Sequence, residues 1–155
     1  MNERNADTIR RHFRYEEQGD SDSVLADMTD NPRYVIPGLF ADEPDARGDI
    51  RQVHTGKDAI RRIHDNLSGA FEQLKIDVIS VVADDTNGYA EIDVNGVMAG
   101  PFDGIEAPGA SVHIMHVSLF TFEDGKISGE SVYYDRRELI RQVGMREEVV
   151  PAVPL

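Results

Sequence analysis

The amino-acid sequence predicts an α+β domain, with helices first and a long antiparallel sheet second. Three observations carry this expectation. Apolar residues recur at helical spacing before Gly69, whereas from Leu74 onward they fill four long runs that read as strands. A Glu-Asp-Gly-Lys turn at Glu123 to Lys126 is suited to joining two of those runs in a hairpin. At 155 residues the chain fits one domain, 1–155, and a domain of that size buries about 70% of the surface its unfolded chain exposes.

The first helix is predicted over about Ala6 to Gln18, with Ile9, Phe13 and Glu16/Glu17 on one face, and Gly19-Asp20 breaks it. A short second helix holds Val24, Leu25 and Met28. Arg33 to Ile36 reads as a strand stopped by Pro37-Gly38. From Leu39 to Val53 the chain is polar and aperiodic, with Pro44 and Gly48, which makes it a long loop of the kind that is often functional. A third helix is expected to open at Thr55, where Thr55 and Asp58 resemble a capping box, and to carry Ile60, Ile63 and Leu67 as far as Ser68-Gly69. Leu74 to Ala83, Tyr89 to Met98, Val112 to Phe122 and Lys126 to Tyr134 are the strands. Asp135 opens a final helix bearing Leu139, Ile140 and Val143, which Gly144 closes as its C′ residue. The tail, about 146–155, holds two prolines, so it is not helical and is expected to drape over a neighbouring subunit.

Val112 to Phe122 is apolar on both alternating faces, with Val117 and Leu119 on one and Ile114, Phe120 and Phe122 on the other. A strand with one face in water would alternate cleanly. The second face is therefore expected to be covered by the sheet's own curvature or by another subunit, and a homodimer is the natural expectation.

Sixteen Lys+Arg against 29 Asp+Glu give a net charge of −13, which argues against nucleic acid or an anionic membrane as partner. The chain has no cysteine, so it has no disulfide framework, thiolate nucleophile or thiolate-ligated metal. It has no apolar run of the roughly 18 residues a membrane span needs, and its start does not read as a signal peptide. A cytoplasmic protein is expected.

Two segments carry a family resemblance. One is Gly96-Val-Met-Ala-Gly100-Pro-Phe-Asp-Gly104-Ile-Glu-Ala-Pro-Gly109. The other runs from Phe120-Thr-Phe-Glu-Asp-Gly-Lys-Ile127 through Tyr133-Tyr134-Asp135 to Leu139-Ile-Arg-Gln142-Val-Gly144. Together they resemble the SnoaL-like polyketide cyclases, within the nuclear transport factor 2-like superfamily. The resemblance implies a cone-shaped curved sheet wrapped around the helices, with a deep pocket for a small apolar ligand. It also implies that an aspartate at the end of the last long strand, matched here by Asp135, acts as acid/base in an aldol closure without a cofactor. Relatives often carry Thr and His between the first two glycines, where this chain has Val97, Met98 and Ala99.

Asp135 and His116 are the candidate catalytic residues. Removing a proton next to a carbonyl requires a base near the C–H and a donor for the developing oxyanion. Desolvation in an apolar pocket would raise the Asp135 pKa and make it the stronger base, a logic for which ketosteroid isomerase is the precedent. The competing reading is structural: Asp135-x-x-Glu138 resembles a capping box, and a capping carboxylate is a weakened base. On a regular hairpin His116 shares the parity of Phe120 and Phe122, and Ile127, Gly129, Ser131, Tyr133 and Asp135 form the facing set. His116 and Asp135 would then both face the cavity, whereas a one-residue bulge near Gly129 would exchange every inward and outward assignment beyond it. Tyr34 and His54 are candidate oxyanion or mouth residues, and Phe120, Ser131, Tyr133 and Met98 complete the expected lining. His113 points away from His116, so the two cannot share a metal, and no metal site or cofactor is expected. A binding protein without catalysis, and a hydrolase or dehydratase using the same pocket, are the alternatives.

Overall fold

A computed structural model describes residues 2–36 and 52–145. The predicted tail and all but the end of the predicted long loop lie outside the described residues. The element order is α1 (Glu3–Glu17), α2 (Ser21–Ala26), β1 (Met28–Ile36), β2 (Gln52–Thr55), α3 (Lys57–Ala70), β3 (Phe71–Ala83), β4 (Asn87–Met98), β5 (Ser111–Glu123), β6 (Lys126–Tyr134) and α4 (Arg136–Gln142). The strands form one curved, unclosed sheet in the order β2-β1-β6-β5-β4-β3. Among the described strands only β1 and β6 run parallel, because β1 is fed from the helical half while β3 to β6 are sequential hairpins. No helix among the described residues is long and apolar enough to cross a membrane.

Helix α1 is set by its caps and its stripe. The Asn2 side chain accepts from the Asn5 backbone N–H, and Ala6, Ile9, Phe13 and Glu16 are buried at helical spacing. The Asn5 amide nitrogen donates to the Asp84 carbonyl at 2.9 Å, tying the helix to the β3–β4 turn. Gly19, at φ +68°, turns the chain into α2. The third helix begins later than Thr55 suggests. Thr55 is the last residue of β2, Gly56 is the N-cap, and no side chain caps the helix. The four residues of β2 pair with β1 from Arg33–Thr55 to Ile36–Gln52, a strand that the polar approach to it conceals.

The β5–β6 turn places Asp124 at φ 50° and Gly125 at φ 75°, the two consecutive left-handed residues that a tight two-residue hairpin turn requires. The hairpin is not regular. Phe122 pairs with Ile127, but Thr121 pairs with Gly129, so Ser128 is an extra residue on β6. Beyond it the parity reverses: Glu130, Val132 and Tyr134 face the concave side, and Ser131 and Tyr133 face outward. Gly129 allows this because β6 is squeezed there between β1 and β5. A Cβ on it would lie 2.8 Å from Thr121 Oγ1 and 3.2 Å from the Arg33 carbonyl oxygen. Gly129→Ala is expected to destabilise the fold by about 1–3 kcal/mol through overpacking, read as a lower urea midpoint.

The core lies between α1, α3 and the concave face, around Phe13, Ile60, Ile92, Phe120 and Ile127. The convex face of β3 to β6 is open in the single chain: Met115, Leu119 and Tyr133 are each 45–46% exposed, and Val82 is 55% exposed. The second apolar face of β5 is therefore not covered by the sheet's own curvature.

Candidate functional site

A cavity of about 540 Å³ opens between the helices and the concave face, within the range of small-molecule sites. Phe13 of α1, Ile63 and Leu67 of α3, Phe71 and Ile76 of β3, Val94 of β4 and Ile114 of β5 make most of its wall apolar. Into this wall project Glu16, His64, His116 and Glu130, with Tyr34, His54, Asp103 and Tyr134.

The deepest polar group joins three elements. His12 and Glu16 stand one turn apart on α1 and therefore share a face. His64 comes from α3, one turn after Ile60, and Glu130 comes from β6 just past the extra residue. His12 Nε2 lies 3.3 Å from Glu16 Oε1 and 3.2 Å from Glu130 Oε2, and His64 Nδ1 lies 2.9 Å from Glu16 Oε1. Ser118 Oγ donates to Glu130 Oε1 at 2.8 Å. His12 is fully buried and Glu130 is 3% exposed. Burial works against charge on His12, but the carboxylates of Glu130 and Glu16 outweigh it and lift the imidazole to about 10. Burial likewise opposes ionisation of Glu16, and the His12 and His64 rings overcome it, holding this carboxyl well below the usual range.

His116 is different. It lies on β5 opposite Tyr134, and its buried Nε2 has no hydrogen-bond partner among the described residues. Burial lowers its pKa, partly offset by the charges of Glu16 and Glu130, so the ring is neutral at pH 7. The Tyr34 phenol is buried near the same carboxylates; burial, then the charges of Glu130 and Glu16, push its pKa well above 10, so it remains a hydrogen-bond donor. Farther along the wall, the Tyr134 hydroxyl donates to the Asp103 carboxylate in a short contact, and Arg136 Nη2 donates to the Asp103 carbonyl oxygen at 2.9 Å. Burial raises the Asp103 pKa, while Tyr134 and Arg136 oppose the shift.

The structure brings together some of the residues expected from sequence and disperses others. His116, Tyr34 and His54 line the cavity. Phe120 is buried in the layer behind it, its ring edge-on to His12 and Phe13, and Met98 is a core residue outside the lining. Ser131 and Tyr133 lie on the convex side because of the extra residue at Ser128. Asp135 is displaced by the same shift. It is exposed, it caps α4 by accepting from the Arg137 and Glu138 backbone N–H groups at 2.9 and 3.3 Å, and it does not line the cavity. With His116, Tyr133 and Tyr134 it borders only a shallow, open groove. His113 is also on the convex side, paired with Asp93. Glu130, His64, Asp103 and Tyr134 were not among the expected site residues. The available signals were Glu16 on the apolar stripe of α1, His64 on that of α3, and the small Gly129 that permits the bulge.

An open curved sheet closed over by helices, with ionisable groups turned inward, defines the cone-shaped architecture of nuclear transport factor 2-like proteins. Within that class the chain belongs to the SnoaL-like polyketide cyclase family, whose model matches residues 30–143. Among solved structures it is similar to TsrD from Streptomyces laurentii, at 20% identity over 94% of this chain and 99% of that one, with a TM-score of 0.76. A candidate polyketide cyclase from Xanthomonas campestris is 23% identical over 91% and 97% of the two chains, with a TM-score of 0.72. An epoxide hydrolase of the LEH-like type from M. tuberculosis is 13% identical over 90% and 89%, with a TM-score of 0.65. At these identities the likeness shows the fold alone. No curated protein matches the chain.

Proposed function

We infer that the chain is a proton-transfer enzyme acting on an apolar, carbonyl-containing small molecule held in the cavity. His116 is its acid/base group. The observation that carries this reading is the buried, unpartnered Nε2 of a neutral imidazole in an apolar cavity wall. In the proposed reaction Nε2 takes the proton from the carbon next to the carbonyl, the C–H electron pair forms the enolate C=C bond, and the carbonyl π pair moves onto oxygen. The Tyr34 hydroxyl donates to the resulting enolate oxygen. The imidazolium formed is stabilised by the Glu16 and Glu130 carboxylates, whose charges already favour it. The enolate carbon then attacks a second carbonyl of the same molecule and the alkoxide formed takes the proton back from the His116 imidazolium, an aldol cyclisation, or the imidazolium returns the proton to another carbon of the enolate, an isomerisation. Asp135 takes no part, and its role is to cap α4. A homodimer joined through the convex face would cover Met115, Leu119 and Tyr133.

The test uses an enolisable aromatic ketone, 1-tetralone, whose α-protons exchange in deuterated water and are followed by NMR. The protein is expected to accelerate exchange above the buffer rate. Because catalysis needs neutral His116, and burial lowers its pKa from 6.5, the acid limb of the rate is expected below pH 6.5, with no loss from there to pH 8. An acid limb above pH 7 would contradict the role of His116. Binding of the ketone without any exchange would favour a binding protein instead.

A further inference from the structure

We propose that His12, Glu16 and His64 bind a divalent first-row transition-metal ion of the zinc type. The inference goes beyond the proton-transfer reading and does not depend on it. One ligand atom from each of His12, Glu16 and His64 lies within 4.8 Å of the others, and all three residues are buried. The closest approaches, 3.3 Å from His12 Nε2 to Glu16 Oε1 and 2.9 Å from His64 Nδ1 to Glu16 Oε1, match edges of a small coordination polyhedron. Ligand atoms at about 2.0–2.1 Å from a tetrahedral zinc ion stand about 3.3 Å apart.

Hydrogen bonding alone leaves this group unsatisfied. Both ring nitrogens of His12 and of His64, and Oε2 of Glu130, are buried without a hydrogen-bond partner among the described residues. Buried polar atoms are normally partnered, and an ion between these side chains would satisfy His12 Nε2 and His64 Nδ1 together. The charge also fits once His12 releases its proton to solvent on metal binding, since the Glu16 ligand and the Glu130 carboxylate beside His12 then balance a dication. Imidazole mixed with carboxylate suits zinc, iron or cobalt better than calcium or magnesium, which prefer all-oxygen sites. Glu16 and His64 line the cavity, so a fourth or fifth position would open toward a bound molecule and could polarise its carbonyl oxygen.

The test is metal uptake without any substrate, so its failure leaves the proton-transfer proposal standing, and the reverse also holds. Chelator-treated protein is dialysed against Zn²⁺ or Co²⁺ and the ion content measured. One ion per chain is expected, with the strong visible bands of four-coordinate Co²⁺. Glu16→Gln and His64→Asn are each expected to weaken binding at least about tenfold. His113→Asn, on the convex face, should leave binding unchanged. Where the buried variants fail to fold, Co²⁺ added to the wild-type protein is expected to shift or broaden NMR signals of Tyr34 and Ser118 and to spare His113. Lack of stoichiometric uptake, uptake untouched by both buried substitutions, or paramagnetic effects centred on His113 would each overturn the proposal.

Discussion

His116→Ala is expected to slow ketone α-proton exchange by about 10²–10⁴-fold, the range that a positioned general base contributes. Ketone affinity should be nearly unchanged, because the apolar wall of Phe13, Ile63, Val94 and Ile114 remains in place. Asp135→Ala is the matched control. It removes a helix cap, costs about 1 kcal/mol of stability, and should leave the exchange rate within about threefold of wild type. The contrast follows from position alone: one group is buried in the cavity wall, and the other is exposed outside it. The opposite pattern, with exchange lost in Asp135→Ala and kept in His116→Ala, would return the chemistry to the end of β6.

Glu130→Ala is expected to be the most destabilising single substitution in the site, costing the metal-free protein about 3–5 kcal/mol. The change strips one carboxylate from a fully buried His12 and leaves the Ser118 hydroxyl, itself fully buried, without its acceptor. Against a typical total of 5–15 kcal/mol this is a large fraction. Glu130→Gln keeps the shape and an acceptor for Ser118, so it should lose less. Urea denaturation of the two variants measures the difference. A loss below about 1 kcal/mol for the alanine variant would mean that the His12–Glu130 contact contributes little to the fold.

Most of the architecture was readable because it is written locally. The Asp-Gly turn at Asp124-Gly125, the Asp135 cap with Gly144 at the far end of α4, and the alternation along β4 and β5 each depend on a few neighbouring residues. The capping-box spacing of Thr55 and Asp58 predicts a start for α3 two residues too early, since Thr55 completes β2 and the helix begins after Gly56. The inward face of β6 could not be settled from alternation. A single extra residue, Ser128, turns Glu130 inward and Ser131, Tyr133 and Asp135 outward. Gly129 marked the position but not the outcome.

The buried polar cluster was hidden for a different reason. Charged and ionisable residues read as surface unless their partners are known, and the partners here come from α1, α3 and β6, as far apart in sequence as His12 and Glu130. Glu16 already sat on the apolar face of the first helix, a conflict between residue type and pattern that the buried network explains. The family resemblance anticipated the cone and its cavity. It did not single out the ionisable groups: its motif segments include Asp103 and Tyr134, which line the cavity, but the residue it assigns to the chemistry, Asp135, lies outside the lining, and His12, Glu16 and His64 lie outside those segments.

Whether the cavity behind His116 holds the reacting molecule is read out by NMR of labelled protein as 1-tetralone is added at pH 7, following the His116 ring nitrogens and the signals of Tyr34, Ile114 and Asp135. A neutral His116 ring before addition, a saturable shift at Nε2, parallel shifts at Tyr34 and Ile114, and a still Asp135 amide are expected. A His116 ring already protonated at pH 7, or shifts confined to Asp135 and Tyr133 on the open groove, would contradict this reading.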